Sequence, residues 1–313
     1  MPQTPVTSIG IGNMGFALAS ALLKSSTPVT IWNRTPDRPL VQSLVTSGAT
    51  LQSSITAAIS ASPVLLLCLV DYDAIYSALV PLKDSTAPSP LAGKTILNLT
   101  NGTPAQARAM EAHLKALGCK AYFDGGIMVT PQLVGTPASF VVLSGESEPV
   151  FQSLGVKELL KPIGAVQYVA EDAGAASLYD VAALAGMYGM FAGAFTGMAL
   201  LKRLRAQQKG REGKEGEKVE VKDAVKGVMV PVLTALVPYV GLLAEQVDEE
   251  RWGDCLGTPL AMQLAGVKNI LQSCEEEGVD GTALKSLGEL MERGVNEGFG
   301  EGGVAVVAKY LLK

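Results

Sequence analysis

The stretch Glu171–Arg205, EDAGAASLYDVAALAGMYGMFAGAFTGMALLKRLR, limits what this chain can fold into more than any other. It has no proline, and between Asp180 and Lys202 it has no charge. A run of that length dominated by Ala, Leu, Met and Gly predicts one long buried helix. Gly189, Gly193 and Gly197 fall four apart, so one side is nearly bare backbone that another helix can approach closely. About 20 apolar residues also suffice to span a bilayer, but small residues packed this densely suit protein contact better than lipid. Asp180 opens the uncharged segment. Tyr188 follows two turns on, about 12 Å along the axis and about 80° round it. An acid and a phenol so placed can face one cavity from two heights. The same pair fits an early-turn Asp and a core Tyr, and both readings stand.

A chain of 313 residues, 48% hydrophobic and 18% charged, is long enough for two domains and too apolar for disorder. Its 25 basic side chains are scattered among 30 acidic ones, which leaves no basic face for nucleic acid. Cys68, Cys119, Cys255 and Cys274 form no CxxC pair and read as reduced thiols of a cytoplasmic protein. The N-terminus enters a strand within a few residues, with no secretory signal, so the Asn-x-Thr triplets at Asn33, Asn98 and Asn101 are not expected to carry sugar. His113, the single histidine, sits in a charged helical pattern and is expected in solvent. No histidine triad or histidine-rich metal site is expected.

Residues 5–9 read as a strand, followed by Gly10-Ile11-Gly12-Asn13-Met14-Gly15 and the helical run FALASALLKS. This GxGxxG follows a strand and opens a helix, as a dinucleotide site requires. Gly10 permits the turn, Gly12 admits a pyrophosphate, and Gly15 lets helix pack on strand. The next strand, PVTIWNR, ends in Asn33-Arg34-Thr35 with Arg38 close behind. NAD sites place a carboxylate there for the ribose hydroxyl. A guanidinium and a hydroxyl suit a 2′-phosphate instead, so NADPH is the expected cofactor.

Helices are expected over 40–47 and 55–60, with a short strand at 50–51. The run 63–70, PVLLLCLV, reads as a strand buried on both faces, and its last residues, Leu69 and Val70, join the candidate cofactor contacts. Asp71-Tyr72-Asp73 starts a helix, 83–93 is a surface loop, and KTILNLT is the next central strand. At its carboxyl end, where open α/β sheets bind ligands, stand Asn101-Gly102-Thr103-Pro104. Thr103 can cap the helix that Pro104 opens. Asn101 either reaches the nicotinamide or substrate, or is a turn Asn before Gly. The strand CKAYFD ends in Asp124-Gly125-Gly126-Ile127-Met128, and the Gly- and Pro-rich excursion through Pro131, Gly135 and Pro137 is another candidate wall. The strand SFVVLSG, the helix SEPVFQSL and the strand AVQYV complete an α/β domain.

The expected organisation is therefore a Rossmann domain over 1–170, an inter-domain helix over 171–205, and an all-α domain over 206–313. That last domain has helices over 228–246, 259–277 and 281–297 and a short one ending at Tyr310. Residues 203–223, almost all polar with nearly cancelling charges, read as a mobile surface loop. A small helical domain rarely covers such a long apolar helix alone, so an intertwined homodimer is expected.

Several segments in order, GIGNMG, WNRT, NLTNGTP, GGIM with VTP and VGTP, LSGES, the DAGAASLYD–GMYG helix and MQLAGVKNI, together resemble the NADP-dependent imine reductases. The likeness is nearest to their fungal branch, the reductive aminases. It implies a helical domain swapped across a homodimer, and hydride transfer from NADPH to an imine or iminium carbon made from a small carbonyl compound and an amine. On this resemblance the family's helix acid is Asp180, its active-site tyrosine Tyr188 and its loop asparagine Asn101. The 2′-phosphate contacts are Arg34 and Thr35, Gly126 joins the cofactor contacts, and Met262 and Gln263 face the substrate. Met128 and Tyr239 join the expected pocket. So does Val232, which follows Pro231 where fungal relatives carry a Trp, a change that widens the pocket.

The related β-hydroxyacid dehydrogenases place a catalytic Lys at the start of the inter-domain helix, and this helix has none before Lys202. A non-catalytic NADPH-binding sensor would have a blocked cleft or a lost acid, whereas Asp180 and Tyr188 are both present. Arg34→Glu is expected to weaken NADPH binding by about ten-fold or more, the loss of a charge-assisted contact, and NADH binding far less. Fluorescence titration of the two dinucleotides reads the ratio, and an unaltered ratio would place the 2′-phosphate elsewhere.

Overall fold

Apolar runs alternating with helical ones make parallel strands joined by helical crossovers. The computed structural model describes residues 3–79, 89–209 and 220–312, and the chain divides into two compact units, Met1–Ala185 and Gly186–Lys313. In the first unit the elements run β1 (Val6–Ile9), α1 (Asn13–Lys24), β2 (Val29–Trp32), α2 (Pro39–Thr46), β3 (Thr50–Leu51), α3 (Ile55–Ala61), β4 (Val64–Leu67) and α4 (Tyr72–Leu79). They continue with β5 (Thr95–Asn98), α5 (Pro104–Ala116), β6 (Ala121–Ile127), β7 (Phe140–Ser144), α6 (Glu148–Ser153), α7 (Val156–Leu160), β8 (Ala165–Ala170) and the long helix α8 (Gly174–Lys209).

The strands form one sheet in the order β3-β2-β1-β4-β5-β6-β7-β8. Val6 pairs with both Val29 and Val64, so β1 lies where the strand order reverses. Its carboxyl end is the switch point at which such sheets bind ligands. Only the β6–β7 pairing is antiparallel among the described strands. The β5–β6 register sets Asn98 opposite Asp124.

Both faces of the sheet are covered, which is why its strands read as continuous apolar runs. Leu66, Leu97 and Phe123 pack with Leu18 and Leu22 of α1, Leu44 of α2 and Phe151 of α6. Leu65, Leu67 and Ile96 pack on the other side with Ile59 of α3, Ile75 of α4 and Met110 of α5.

The α/β architecture agrees with the sequence reading, and the differences are local. The strand expected over 63–70 ends at Leu67, because Cys68, Leu69 and Val70 leave the sheet at its carboxyl edge. The strand expected to end at Asp124 continues to Ile127, since β7 pairs along it from Asp124↔Ser144 to Ile127↔Val141. Helix α7 was not anticipated; it starts after Gly155, whose φ of 63° only glycine adopts freely. His113 is half-buried, edge-on to Tyr76 at 5.2 Å between ring centres, rather than in solvent. Of the loop expected over 83–93, residues 83–88 lie outside the described residues.

The long helix starts at Gly174, not at Glu171. Asp172 accepts the Gly174 N–H (3.1 Å) and holds Arg108 of α5 through two bonds of 2.8 and 2.6 Å. The Arg108 fork keeps the Asp172 carboxyl below the usual carboxylate range. At its other end α8 runs to Lys209, into the segment expected as loop, because LRAQQK is made of good helix formers. Residues 210–219 of that expected loop lie outside the described residues, and 221–223 are helical.

The second unit contains the rest of α8, then α9 (Val221–Ala224), α10 (Val230–Asp248), α11 (Leu260–Glu276), α12 (Thr282–Gly294) and α13 (Val306–Leu311). π-Helical turns at Val225–Met229 and Val295–Phe299 precede α10 and follow α12. No strand occurs among its described residues. Its core is small, built on Leu260, Leu264, Met291, Val306 and Val307. The expectation of a buried long helix fails for the chain taken alone: Tyr188 and Phe195 are 62% and 64% exposed, and Val237 on α10 is 65% exposed. So small a core has too few side chains to cover both helices. Gly174–Arg203 and Val221–Asp248 are each long and apolar enough to cross a membrane, by length and composition alone.

Candidate active site

The carboxyl end of β1 turns sharply at Gly10, where φ is 93° and a Cβ would lie 2.4 Å from the Cys68 carbonyl oxygen. Gly12 is the N-cap of α1 and brings no side-chain cap. The space where a Gly12 Cβ would stand is open to at least 4 Å. The first N–H groups of α1 are thus left to an outside acceptor, and the helix dipole favours an anion there. At Gly15 a Cβ would come within 2.0 Å of the Gly10 carbonyl oxygen, so the turn and the helix close on each other.

A cleft of about 650 Å³ opens above this turn, lined by Gly10–Gly15 (Asn13 and Met14 included), Asn33, Arg34, Thr35, Arg38, Leu69 and Val70. Among the described residues no carboxylate lines it. Arg34, Thr35 and Arg38 are exposed and bring two fixed positive charges, which fits a phosphorylated ribose. Asn33, on the cleft wall, also braces the local backbone. Its Oδ1 accepts the Ile11 N–H (3.0 Å) and its Nδ2 donates to the Thr35 carbonyl (2.8 Å), so it ties the glycine turn to the end of β2. Leu69 donates its N–H to Thr100 Oγ1 (3.1 Å), while Val70 is 83% exposed. Cys68 also lines the cleft, but burial pushes its thiol up to about 12 and leaves it inert.

The acid of α8 meets the loop after β5. Asn101 Nδ2 donates to Asp180 Oδ2 at 2.6 Å. Asp180 is half-buried, and desolvation raises its carboxyl above the ordinary value while the Asn101 bond pulls it back. The expected catalytic Asn101 is therefore first a holder of the acid. Gly126 makes this approach possible: a Cβ there would lie 2.9 Å from the Asp180 Cβ and 2.9 Å from the Met128 Cε. Asn101, Asp180, Gly126 and Met128 thus converge within the first unit. The remaining candidates belong to the second unit. Tyr188 stands edge-on to Phe191, ring centres 6.2 Å apart. Val232 and Met262 are exposed, Tyr239 is half-buried, and Gln263 Nε2 donates to the Thr258 carbonyl at 2.8 Å.

Beneath the Asn101–Asp180 pair lies a buried cluster that sequence reading did not find. Asp124 Oδ2 accepts from Tyr72 (2.5 Å), Tyr122 (2.7 Å) and Asn98 Nδ2 (3.0 Å), and Oδ1 accepts from Ser177 (2.7 Å). Burial raises the Asp124 carboxyl to about 6 although all four donors favour its ionised form. In the sequence Asp124-Gly125-Gly126 looks like a turn. The signal that could have found it is the apolar strand pattern on both sides.

Residues 172–313 match the C-terminal domain family described as NADPH-dependent reductive aminase-like. Residues 5–169 match the NAD binding domain of 6-phosphogluconate dehydrogenase. An NADPH-dependent reductive aminase of Aspergillus oryzae is 35% identical over 301 residues, 96% of this chain and 95% of that protein. A reductive aminase from Aspergillus terreus superimposes with a TM-score of 0.84 at 38% identity, covering 99% of both chains. It has been solved with NADPH and ethyl levulinate, and with NADPH4, cyclohexanone and allyl amine. An imine reductase from Myxococcus stipitatus, in complex with NADP+, gives 0.82 at 27% identity, covering 98% of this chain and 99% of that one.

The Asn101→Ala substitution removes the donor that favours the Asp180 carboxylate, so Asp180 is expected to titrate at higher pH than in the wild type. Carboxyl 13C NMR follows it directly. An unmoved titration would mean that the amide does not hold the acid.

Proposed function

Because this chain belongs to the family of the NADPH-dependent reductive aminases, we propose that it uses NADPH to reduce an imine or iminium ion formed from a ketone or aldehyde and an amine. The observation that carries this reading is a half-buried carboxyl, Asp180, held by an amide donor and, among the described residues, bonded to no cationic side chain. A carboxyl so placed is a partner for a basic nitrogen. Charge pairing with an ammonium or iminium group offsets its desolvation and favours the carboxylate. Asp180 then holds the substrate nitrogen and exchanges protons with it, and Asn101 fixes the orientation of the acid. The glycine turn and the N-terminus of α1 would hold the cofactor pyrophosphate, and Arg34, Thr35 and Arg38 its 2′-phosphate. When bound, the nicotinamide supplies the hydride that reduces the carbon. Tyr188, whose hydroxyl makes no hydrogen bond among the described residues, orients the substrate nitrogen or the hemiaminal oxygen. Met128, Val232, Tyr239, Met262 and Gln263 shape the space around the carbonyl and amine substituents.

Two other readings weigh less. A β-hydroxyacid dehydrogenase would present a Lys where this helix presents Asp180, and the acid's charge would repel a carboxylate substrate. A non-catalytic NADPH sensor has no use for a held, desolvated acid. Asp180→Ala and Tyr188→Phe are each expected to lower NADPH-dependent reduction of a cyclic imine by about ten-fold or more, the usual worth of acid–base help, with the NADPH dissociation constant intact. Unchanged turnover in both variants would remove these groups from the chemistry. Oxidation of NADPH by a 3-keto acid but not by an imine would favour the dehydrogenase.

The proposal extends to a cytoplasmic, domain-swapped homodimer that needs neither membrane nor nucleic acid. The four unpaired thiols support a reducing compartment. The exposed apolar faces of α8 and α10 exceed what a soluble monomer usually presents, and Gly189 and Gly193, with open space beside them, leave room for a close helix. Sedimentation equilibrium is expected to give twice the chain mass of 32.5 kDa. A species of single chain mass at micromolar concentration would overturn the dimer.

A further inference from the structure

We infer that Asp124 is a positioning residue for the Asn101–Asp180 pair, acting on Asp180 through Ser177 and on the Asn101 loop through Asn98 and Tyr72. The inference rests on the imine-reducing reading for its catalytic consequence but on geometry alone for the positioning itself.

Asp124 is fully buried, and its four donors come from four different elements: Tyr72 from α4, Asn98 from β5, Tyr122 from β6 and Ser177 from α8. The donors divide unevenly. Three converge on Oδ2, while Ser177 is the donor to Oδ1. Ser177 precedes Asp180 by three residues, so both sit on one side of α8, about 4.5 Å apart along the axis. Asp124 and Gly126 are likewise two apart on β6 and face the same side of the sheet. Strand and helix therefore meet at two successive points, a hydrogen bond at 124–177 and bare backbone against side chain at 126–180. The second contact places the acid, and the first fixes the register at which it forms.

The other member of the pair is held from the same carboxylate. Asn98, bonded to Asp124, accepts the Thr100 N–H on its Oδ1 (3.2 Å), one residue before Asn101. Tyr72, also bonded to Asp124, lies under the loop just after it: a Cβ at Gly102 would stand 2.3 Å from the Tyr72 ring. One buried group is thus the shared anchor of the acid and of the amide that holds it.

The chemistry fits a part beyond packing. A buried carboxylate is costly, and an apolar or amide side chain of similar size would serve stability as well or better. The groups facing it from α4, β5, β6 and α8 are neutral donors. The acid on α5, Glu111, is itself pushed up, chiefly by burial and then by the Glu146 charge, and least by that of Asp124. No cation among these groups repays the burial. Its two oxygens, three donors on one and Ser177 on the other, tie sheet and helix at once.

Two variants separate positioning from folding. Ser177→Ala cuts only the tie to α8 and leaves the three Oδ2 donors satisfied. Asp124→Asn is isosteric: its carbonyl can take the three donors while its NH2 faces Ser177, which reverses that one bond. With a cyclic imine and NADPH, Ser177→Ala is expected to lower kcat at least five-fold and Asp124→Asn, which keeps the tie through a reversed and uncharged bond, by a smaller factor, while KM for NADPH stays within two-fold in both. Hydrogen exchange of the amides over 174–182 in Ser177→Ala is expected to rise at least five-fold, with protection in β1 and β4 unchanged. If both variants turn over and exchange like the wild type, Asp124 is packing only and the inference falls. A loss shared equally with KM for NADPH, or faster exchange in β1 and β4, would show general damage and also overturn it. Should the wild type reduce no imine, the functional reading fails. The exchange over 174–182 then decides the positioning by itself.

Discussion

The closest approach that matters in this structure is that of β6 to α8 at Gly126. Side chains at both contact points would hold the strand and the helix further apart. Here the strand offers bare backbone, with Asp180 against it, and the acid loses solvent on one side. Desolvation then raises its carboxyl, and only the Asn101 amide works in the opposite direction. The poised state of this group is therefore set by a missing methyl group on a neighbouring strand. A more basic neighbour plays no part in it.

A similar economy governs the cleft above β1. Nothing there binds by shape alone. The glycine turn exposes unsatisfied N–H groups, α1 aligns its dipole behind them, and the end of β2 brings guanidinium groups where a carboxylate would repel a second phosphate. Asn33 holds the turn to that strand end from within. The two sides of the cleft are thus tied to each other by hydrogen bonds.

How much of this was legible depended on whether the deciding contact was local in sequence. The glycine turn, the Thr103 cap and the apolar strands announce themselves within a few residues, and the structure has them where they were expected. Asn101 was expected beside cofactor or substrate, and its bond to Asp180 was not legible, because it spans 79 positions. Asp124 was missed for a related reason. Asp-Gly-Gly carries strong turn chemistry, and the antiparallel strand that overrides it comes later in the chain. The length of α8 was legible from composition, whereas its exposure was not. Burial depends on what packs against a helix, and one chain does not contain enough apolar surface to do it.

The acid, the amide that holds it and the buried carboxylate below them all lie before residue 186, while Tyr188, Val232, Tyr239, Met262 and Gln263 lie after it. Under the proposed reading, the acid and its anchors are thus encoded before residue 186, while Tyr188 and most of the expected pocket follow it. A substitution at Val232 or Tyr239 removes none of the hydrogen bonds to Asp124 or Asp180. The proposed reading therefore lets the later part of the chain vary while the bonds that hold the acid are kept.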